Sequence, residues 1–120
     1  MSGFPLDDED ELQATWWDAV DEATELLREG QVDEAKLQLE AVLQQTPRNP
    51  YGHFFLGVAH FEQKDFTAAV DAYQRAVKLA PKYLGAWVGL GHSLRLSGEL
   101  PRAIEAGRQA LELADEDQHG

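Results

Sequence analysis

Residues 50–83 read PYGHFFLGVAHFEQKDFTAAVDAYQRAVKLAPKY, and their pattern decides the fold. Asn49 followed by Pro50 marks a helix start. The asparagine side chain can cap free amides, and proline at the first helical position has no amide to leave unpaired. Leu56, Gly57 and His60 share one stripe of a first helix. Gln63-Lys64-Asp65 reads as a turn, with Asp65 as the N-cap of a second helix. On that second helix Phe66, Ala69, Val70, Tyr73, Ala76, Val77 and Ala80 recur at three-, four- and seven-residue spacing, so they line one face. The stretch is a helical hairpin whose apolar sides must be buried.

The hairpin recurs. Ala35, Ala69 and Ala103 are 34 residues apart, as are Leu43, Val77 and Leu111, and as are Pro47 and Pro81. Gly30 and Gly98 are 68 apart, with Lys64 midway. Aligned on that period the units are 16–49, 50–83 and 84–117. Residues 1–15 read as an acidic N-terminal tail leading into the first helix. The last helix is expected to end by residue 115 and to leave 116–120 as a polar tail. Gly57 with Ala69, and Gly91 with Ala103, are the small pairs at which two helices are expected to approach closely. A larger side chain there costs about 1–3 kcal/mol of strain.

On these residues the chain resembles the tetratricopeptide repeat (TPR) family. The carriers are His53, Leu56, Gly57, His60, Ala69, Tyr73, Ala76 and Pro81 in the second unit. The third contributes Trp87, Leu90, Gly91, Gly98, Ala103 and Ala110, and the first Ala23, Gly30, Ala35 and Pro47. The first unit departs from the pattern, with Ala19 where tryptophan is favoured and Glu22 where leucine is. Its first helix is therefore degenerate. Gly107 replaces a large aromatic that packs on a following unit. With Arg102, Glu105, Gln109 and Glu112 along one stripe, the last helix reads as one that faces water and ends the array.

The resemblance implies an all-α fold: a short right-handed superhelical solenoid of three antiparallel helix-turn-helix hairpins, with the first helices lining a concave groove. It implies a module that binds a protein or peptide there. The groove positions carried over are Trp17, Val20, Asp21, Thr24, Leu27 and Arg28, then Tyr51, Phe54, Phe55, Val58, Phe61 and Glu62, then Gly85, Val88, Gly89, His92 and Arg95. Trp17, Tyr51, Phe54, Phe55, Val58, Phe61, Val88 and His92 form the expected binding surface, with Arg28, Lys82 and Arg95 at its rim. Phe54 and Phe55 lie about 100° apart on a helix, so part of this set belongs to the core. One TPR subtype grips a terminal carboxylate through Lys, Asn and Arg. The matching positions here hold Val20, Thr24, Phe55, Gly85 and Gly89, so an apolar anchor is expected instead.

Charge narrows the partner. The chain has 120 residues and a net charge of −12. Residues 1–15 carry −5, 16–49 carry −5, 50–83 carry +1 and 84–120 carry −3. This field opposes nucleic acid and anionic membranes. The chain has no cysteine, no basic-then-apolar leader and no apolar run of spanning length, and a cytoplasmic location is expected. Phe4-Pro5-Leu6, on the acidic tail, offers a segment able to dock in the groove.

No chemistry is expected. The histidines lack a His-Glu-x-x-His arrangement, so no metal or other cofactor is expected, and His53 and His60 read as packing residues. No Gly-rich phosphate loop or nucleophile elbow is present. The expectation is a non-catalytic adaptor or scaffold. A small chaperone for a secreted or membrane-active client, and a self-assembling structural unit, stay open beside it.

Overall fold

The computed structural model describes residues 9–119, with side chains over 11–116. Seven helices follow one another: α1 (Glu9–Ala19), α2 (Asp21–Arg28), α3 (Val32–Gln45), α4 (Pro50–Glu62), α5 (Phe66–Leu79), α6 (Leu84–Leu96) and α7 (Leu100–His119). No strand occurs among the described residues. Each helix packs mainly on its sequence neighbours, so α2/α3, α4/α5 and α6/α7 stack as three hairpins. The result is an all-α solenoid of 52 × 38 × 21 Å. Phe4-Pro5-Leu6 lies outside the described residues.

The 34-residue period is written into the backbone. Gly30, Lys64 and Gly98 all adopt positive φ, at 81°, 63° and 87°. Each follows the first helix of a hairpin and reverses the chain. The amide of the next residue then bonds back to the helix: Gln31 to the Leu26 carbonyl at 2.8 Å, Asp65 to His60 at 2.9 Å and Glu99 to Leu94 at 2.8 Å. Such closures satisfy carbonyls that a helix end would leave open. Lys64 does this without glycine's freedom, at a steric cost.

Helix starts vary around the same frame. The Asn49 Oδ1 accepts from the Tyr51 and Gly52 amides at 3.0 and 3.3 Å, and the Asp65 carboxylate accepts from Ala68 N at 3.2 Å. The His53 Nε2 lies 2.8 Å from the Pro47 carbonyl, and one period later Trp87 Nε1 donates to the Pro81 carbonyl at 2.8 Å. A carbonyl only accepts, so His53 carries its proton on Nε2 and does the tryptophan's work. Ala19, at the same place in the first hairpin, has no ring to offer. There the first helix is broken: Val20 sits between α1 and α2 with φ −102° and ψ 2°.

The core is one long cluster of Ala69, Val70, Tyr73, Ala76, Val77, Ala86, Leu90, Leu94 and Ala106, with smaller clusters around Leu39 and Leu27. Tyr73 is its wedge. A Cβ on Gly57 would come within 2.9 Å of the Tyr73 ring, and one on Gly89 within 2.5 Å. Close approach is thus ring against helix, on both sides of one tyrosine. Gly91 departs only in tightness, since a Cβ there would touch the Ala103 carbonyl at an ordinary contact distance of 3.7 Å. Val20 and Leu27 also differ, at 0% and 8% exposed. They face the core and not a groove: Val20 packs with Ala23 and Leu39, and Leu27 with Ala35 and Ala59. The last helix runs on to His119: no glycine or proline interrupts residues 102–119 except Gly107, so nothing ends it at 115.

Candidate functional site

The first helices carry a row of rings that touch across three elements. Trp17 of α1 meets Tyr51 of α4 edge-on, with centroids 5.0 Å apart and planes at 90°, and Phe55 at 5.8 Å. Phe55 meets Phe54 at 4.9 Å. Phe54 reaches Tyr83, just before α6, at 4.8 Å, and Tyr73 at 5.7 Å. Tyr51 closes the circuit on Tyr83 at 5.6 Å. These spacings are those of favourable edge-to-face and offset ring pairs. Tyr73 is buried, Trp17 is 46% exposed, and Tyr51, Phe54, Phe55 and Tyr83 are half-buried. The rings therefore serve both sides: one edge packs, the other meets solvent.

Beside the row lies a cleft of about 730 Å³ between α1 and the α5–α6 turn. Leu12, Trp16, Tyr51, Leu79, Lys82 and Tyr83 are among its walls. Asn49 fixes that wall in place. It is fully buried, and while its oxygen caps α4 its Nδ2 donates to the Trp16 carbonyl at 3.0 Å. One side chain thus starts one helix and pins another. Lys82 is exposed at the rim and supplies a cation next to the rings.

The Tyr73 and Tyr83 phenols stay neutral across ordinary pH. Burial, then the Glu62 carboxylate, pushes Tyr73 up to about 12. Burial raises Tyr83 further, with Tyr51 and Tyr73 adding to it. Their hydroxyls are therefore polar handles and not charges.

The expected binding residues do not form one surface. Trp17, Tyr51, Phe54 and Phe55 come together. Val58 is half-buried and packs against two core clusters. Phe61 turns toward the hairpin tip and meets Phe66 at 5.3 Å. Val88, His92 and Arg95 line a different groove, between α6 and α7. Of the rim residues, Arg28 is held by Glu25 at 2.7 Å, Arg95 lies 3.5 Å from the His92 Nδ1, and only Lys82 borders the ring row. Gly89, placed in the groove by sequence, instead gives its space to the Tyr73 ring.

Sequence reasoning missed Leu12, Trp16, Leu79 and Tyr83. Tyr83 had a signal: it stands 34 residues after Asn49, at the same helix start, with a ring in place of a cap. Leu12 and Trp16, four residues apart in the acidic segment, had the spacing of a helix face.

Among the described residues no group of histidines and carboxylates could hold a metal ion. No described helix is long and apolar enough to cross a membrane.

A family model described as Tetratricopeptide repeat matches residues 20–84. Among curated proteins, the chain is 40% identical over 72 residues to peroxisome biogenesis protein 5 of Arabidopsis thaliana, covering 60% of this chain and 10% of that protein. It is 35% identical over 96 residues to a TPR repeat-containing protein of Synechococcus elongatus, covering 74% and 24%. The chain thus spans a tenth to a quarter of these relatives. Among solved structures, a MamA double mutant superposes with a TM-score of 0.80 at 23% identity, covering 88% of this chain and 59% of that one. The second TPR of Spaghetti, bound to an HSP90 peptide of sequence SRMEEVD, superposes at 0.78 and 18% identity, covering 86% and 98%. Both structural likenesses show the same fold.

Proposed function

This chain belongs to the tetratricopeptide repeat family, and on that premise we propose that it is a non-catalytic adaptor or scaffold which holds an apolar-anchored peptide or helix of a partner protein against the ring row. The observation that carries the reading is the continuous contact of Trp17, Tyr51, Phe55, Phe54 and Tyr83 with one edge left open. Rings already fixed by one another lose little freedom when a ligand covers them, so their burial goes mostly into affinity. The cleft beside them takes a further apolar side chain, and Lys82 gives it a polar edge.

The peptide-bound Spaghetti repeat supports peptide capture on this fold. Its ligand chemistry does not transfer. That peptide is acidic at its end, whereas this chain is strongly acidic itself and holds Val20, Thr24, Phe55, Gly85 and Gly89 where a carboxylate clamp uses Lys, Asn and Arg. An aliphatic or aromatic anchor with flanking lysine or arginine fits both the rings and the charge.

Selection of a random peptide library on the chain tests this. Enriched sequences should carry apolar anchors, and Tyr51→Ala and Phe54→Ala should each weaken them by roughly tenfold or more. Trp17→Ala, which removes the most exposed ring, should do the same without loss of helix content. Peptides that bind all three variants as well as the parent would overturn the assignment.

A further inference from the structure

Five of the seven large apolar side chains that stand exposed among the described residues lie on α6 and α7: Val88, Leu96, Leu100, Ile104 and Leu111. Leu100, Ile104, Gly107 and Leu111 follow at intervals of four, three and four, so they form one stripe along α7. Ile104 is 63% and Leu111 70% exposed. The stripe borders a groove of about 400 Å³ whose floor includes Gly91, Ala103, Gly107 and Ala110.

That groove is a vacant copy of a filled one. Shifted back by 34 residues, its floor becomes Gly57, Ala69, Tyr73 and Ala76. There α6 lies on the surface and buries Ala86, Leu90 and Leu94 at 0%, 5% and 2% exposure. The end groove is therefore a seat for a helix that runs antiparallel to α7 and presents small and branched apolar residues in a stripe. No described residue fills it.

Two faces of a second copy are candidates for the seat. The first is the broken α1–α2 helix, which would extend the stack head to tail. It carries Asp18 and Glu22 where α6 carries Ala86 and Leu90. Seating it would strip water from two carboxylates on an apolar floor, a cost of several kcal/mol each. The second is α7 itself, with Leu100, Ile104, Gly107 and Leu111. Two end faces joined across a two-fold axis set the α7 helices antiparallel. Gly107 then meets Gly107 of the other copy at close range, and Leu111 of each copy falls between Leu100 and Ile104 of the other.

Charge favours the same arrangement. Residues 84–111 carry Arg95, Arg102 and Arg108 against Glu99 and Glu105, a net +1, while residues 1–49 carry −10. End-to-end pairing joins this weakly basic segment to its copy and keeps residues 1–49, the most acidic stretch, apart.

We propose that the α6–α7 end face is a dimerisation surface that pairs with its own copy about a two-fold axis near Gly107, independent of the ring row. The chain has no cysteine, which makes Gly107→Cys a direct probe. A Cβ at Gly107 meets nothing within 4 Å, so the variant folds, and under mild oxidation it should cross-link to a dimer. Leu37→Cys, on exposed α3, should not. By sedimentation equilibrium from micromolar to millimolar concentration, the parent should approach twice its 13.4 kDa. Ile104→Glu and Leu111→Glu should each weaken association by about 100-fold with unchanged helix content, as loss of a central apolar anchor does. A parent that stays at 13.4 kDa throughout overturns the proposal. So does a dimer indifferent to both glutamate variants, or one abolished by Trp17→Ala instead.

Discussion

Ser93 is 0% exposed and its hydroxyl has no hydrogen-bond partner among the described residues. Ala59, one period earlier, fills the same place at 0%. A buried hydroxyl without a partner costs about 1–3 kcal/mol, and alanine also suits a helix better. Ser93→Ala is therefore expected to stabilise the chain by about 1 kcal/mol, read from urea unfolding. His60 is a second such site, with Nδ1 buried and unpaired. Burial, then the Lys36 charge, holds its pKa below the usual 6.5, although Asp65, Glu40 and Asp71 oppose this. The unfolded chain then takes up the proton first. His60's contribution is complete above 6.5 and is lost as pH falls through that value toward the lower folded pKa. Thermal unfolding at pH 7.5 and 5.5 should show a smaller loss in His60→Phe than in the parent. Much at this scale was legible. Asn49 and Asp65 declare their caps by residue type, and Tyr73 its burial by spacing. The partition of Phe54, Phe55, Val58 and Phe61 was not, because one residue of helix rotation decides which edge of a ring meets water.

At the scale of elements, the joint between α1 and α4 rests on Asn49. Asn49→Ala removes an N-cap and a buried bond to the Trp16 carbonyl. Together these are worth about 2 kcal/mol. The expected outcome is that loss of stability, with faster amide exchange over α1 than over α5. The period fixed where hairpins turn, since Gly30, Lys64 and Gly98 punctuate each one. It could not fix the break at Val20. That break follows from what the first hairpin lacks: no ring at Ala19 to brace the preceding turn, and Asp18 and Glu22 where α6 buries Ala86 and Leu90. The charged stripe on α7 was correct as a list of residues, with Arg102 and Glu105 exposed, yet Leu100, Ile104 and Leu111 stand exposed beside it. Spacing shows that a face is apolar; only the stack shows whether anything covers it.

For the whole molecule, acidity is a property of one half, and it governs encounter more than grip. A lysine-flanked apolar peptide should associate with the ring row faster than a glutamate-flanked one of the same anchors. The gap in association rate should close as salt shortens the screening length to about 3 Å near 1 M, measured by stopped-flow fluorescence of the tryptophans. The order of stacking was legible in full, because a repeated hairpin can only bury its faces against its neighbours. The division of the apolar surface into a ring row and an end groove was not, since both belong to the same periodic positions.

The Tyr73 ring, wedged where Gly57 and Gly89 leave room, has a consequence for how the array comes apart. It belongs to the second hairpin yet fills a notch in the third, so neither can loosen without emptying the other's socket. Stacks of this kind often melt from an end, one unit after another. Here the middle and last hairpins are keyed together by a ring and are expected to let go as one, while the first is tied on by Asn49 and a smaller key, the Leu43 side chain against Gly52, and is expected to fray ahead of them.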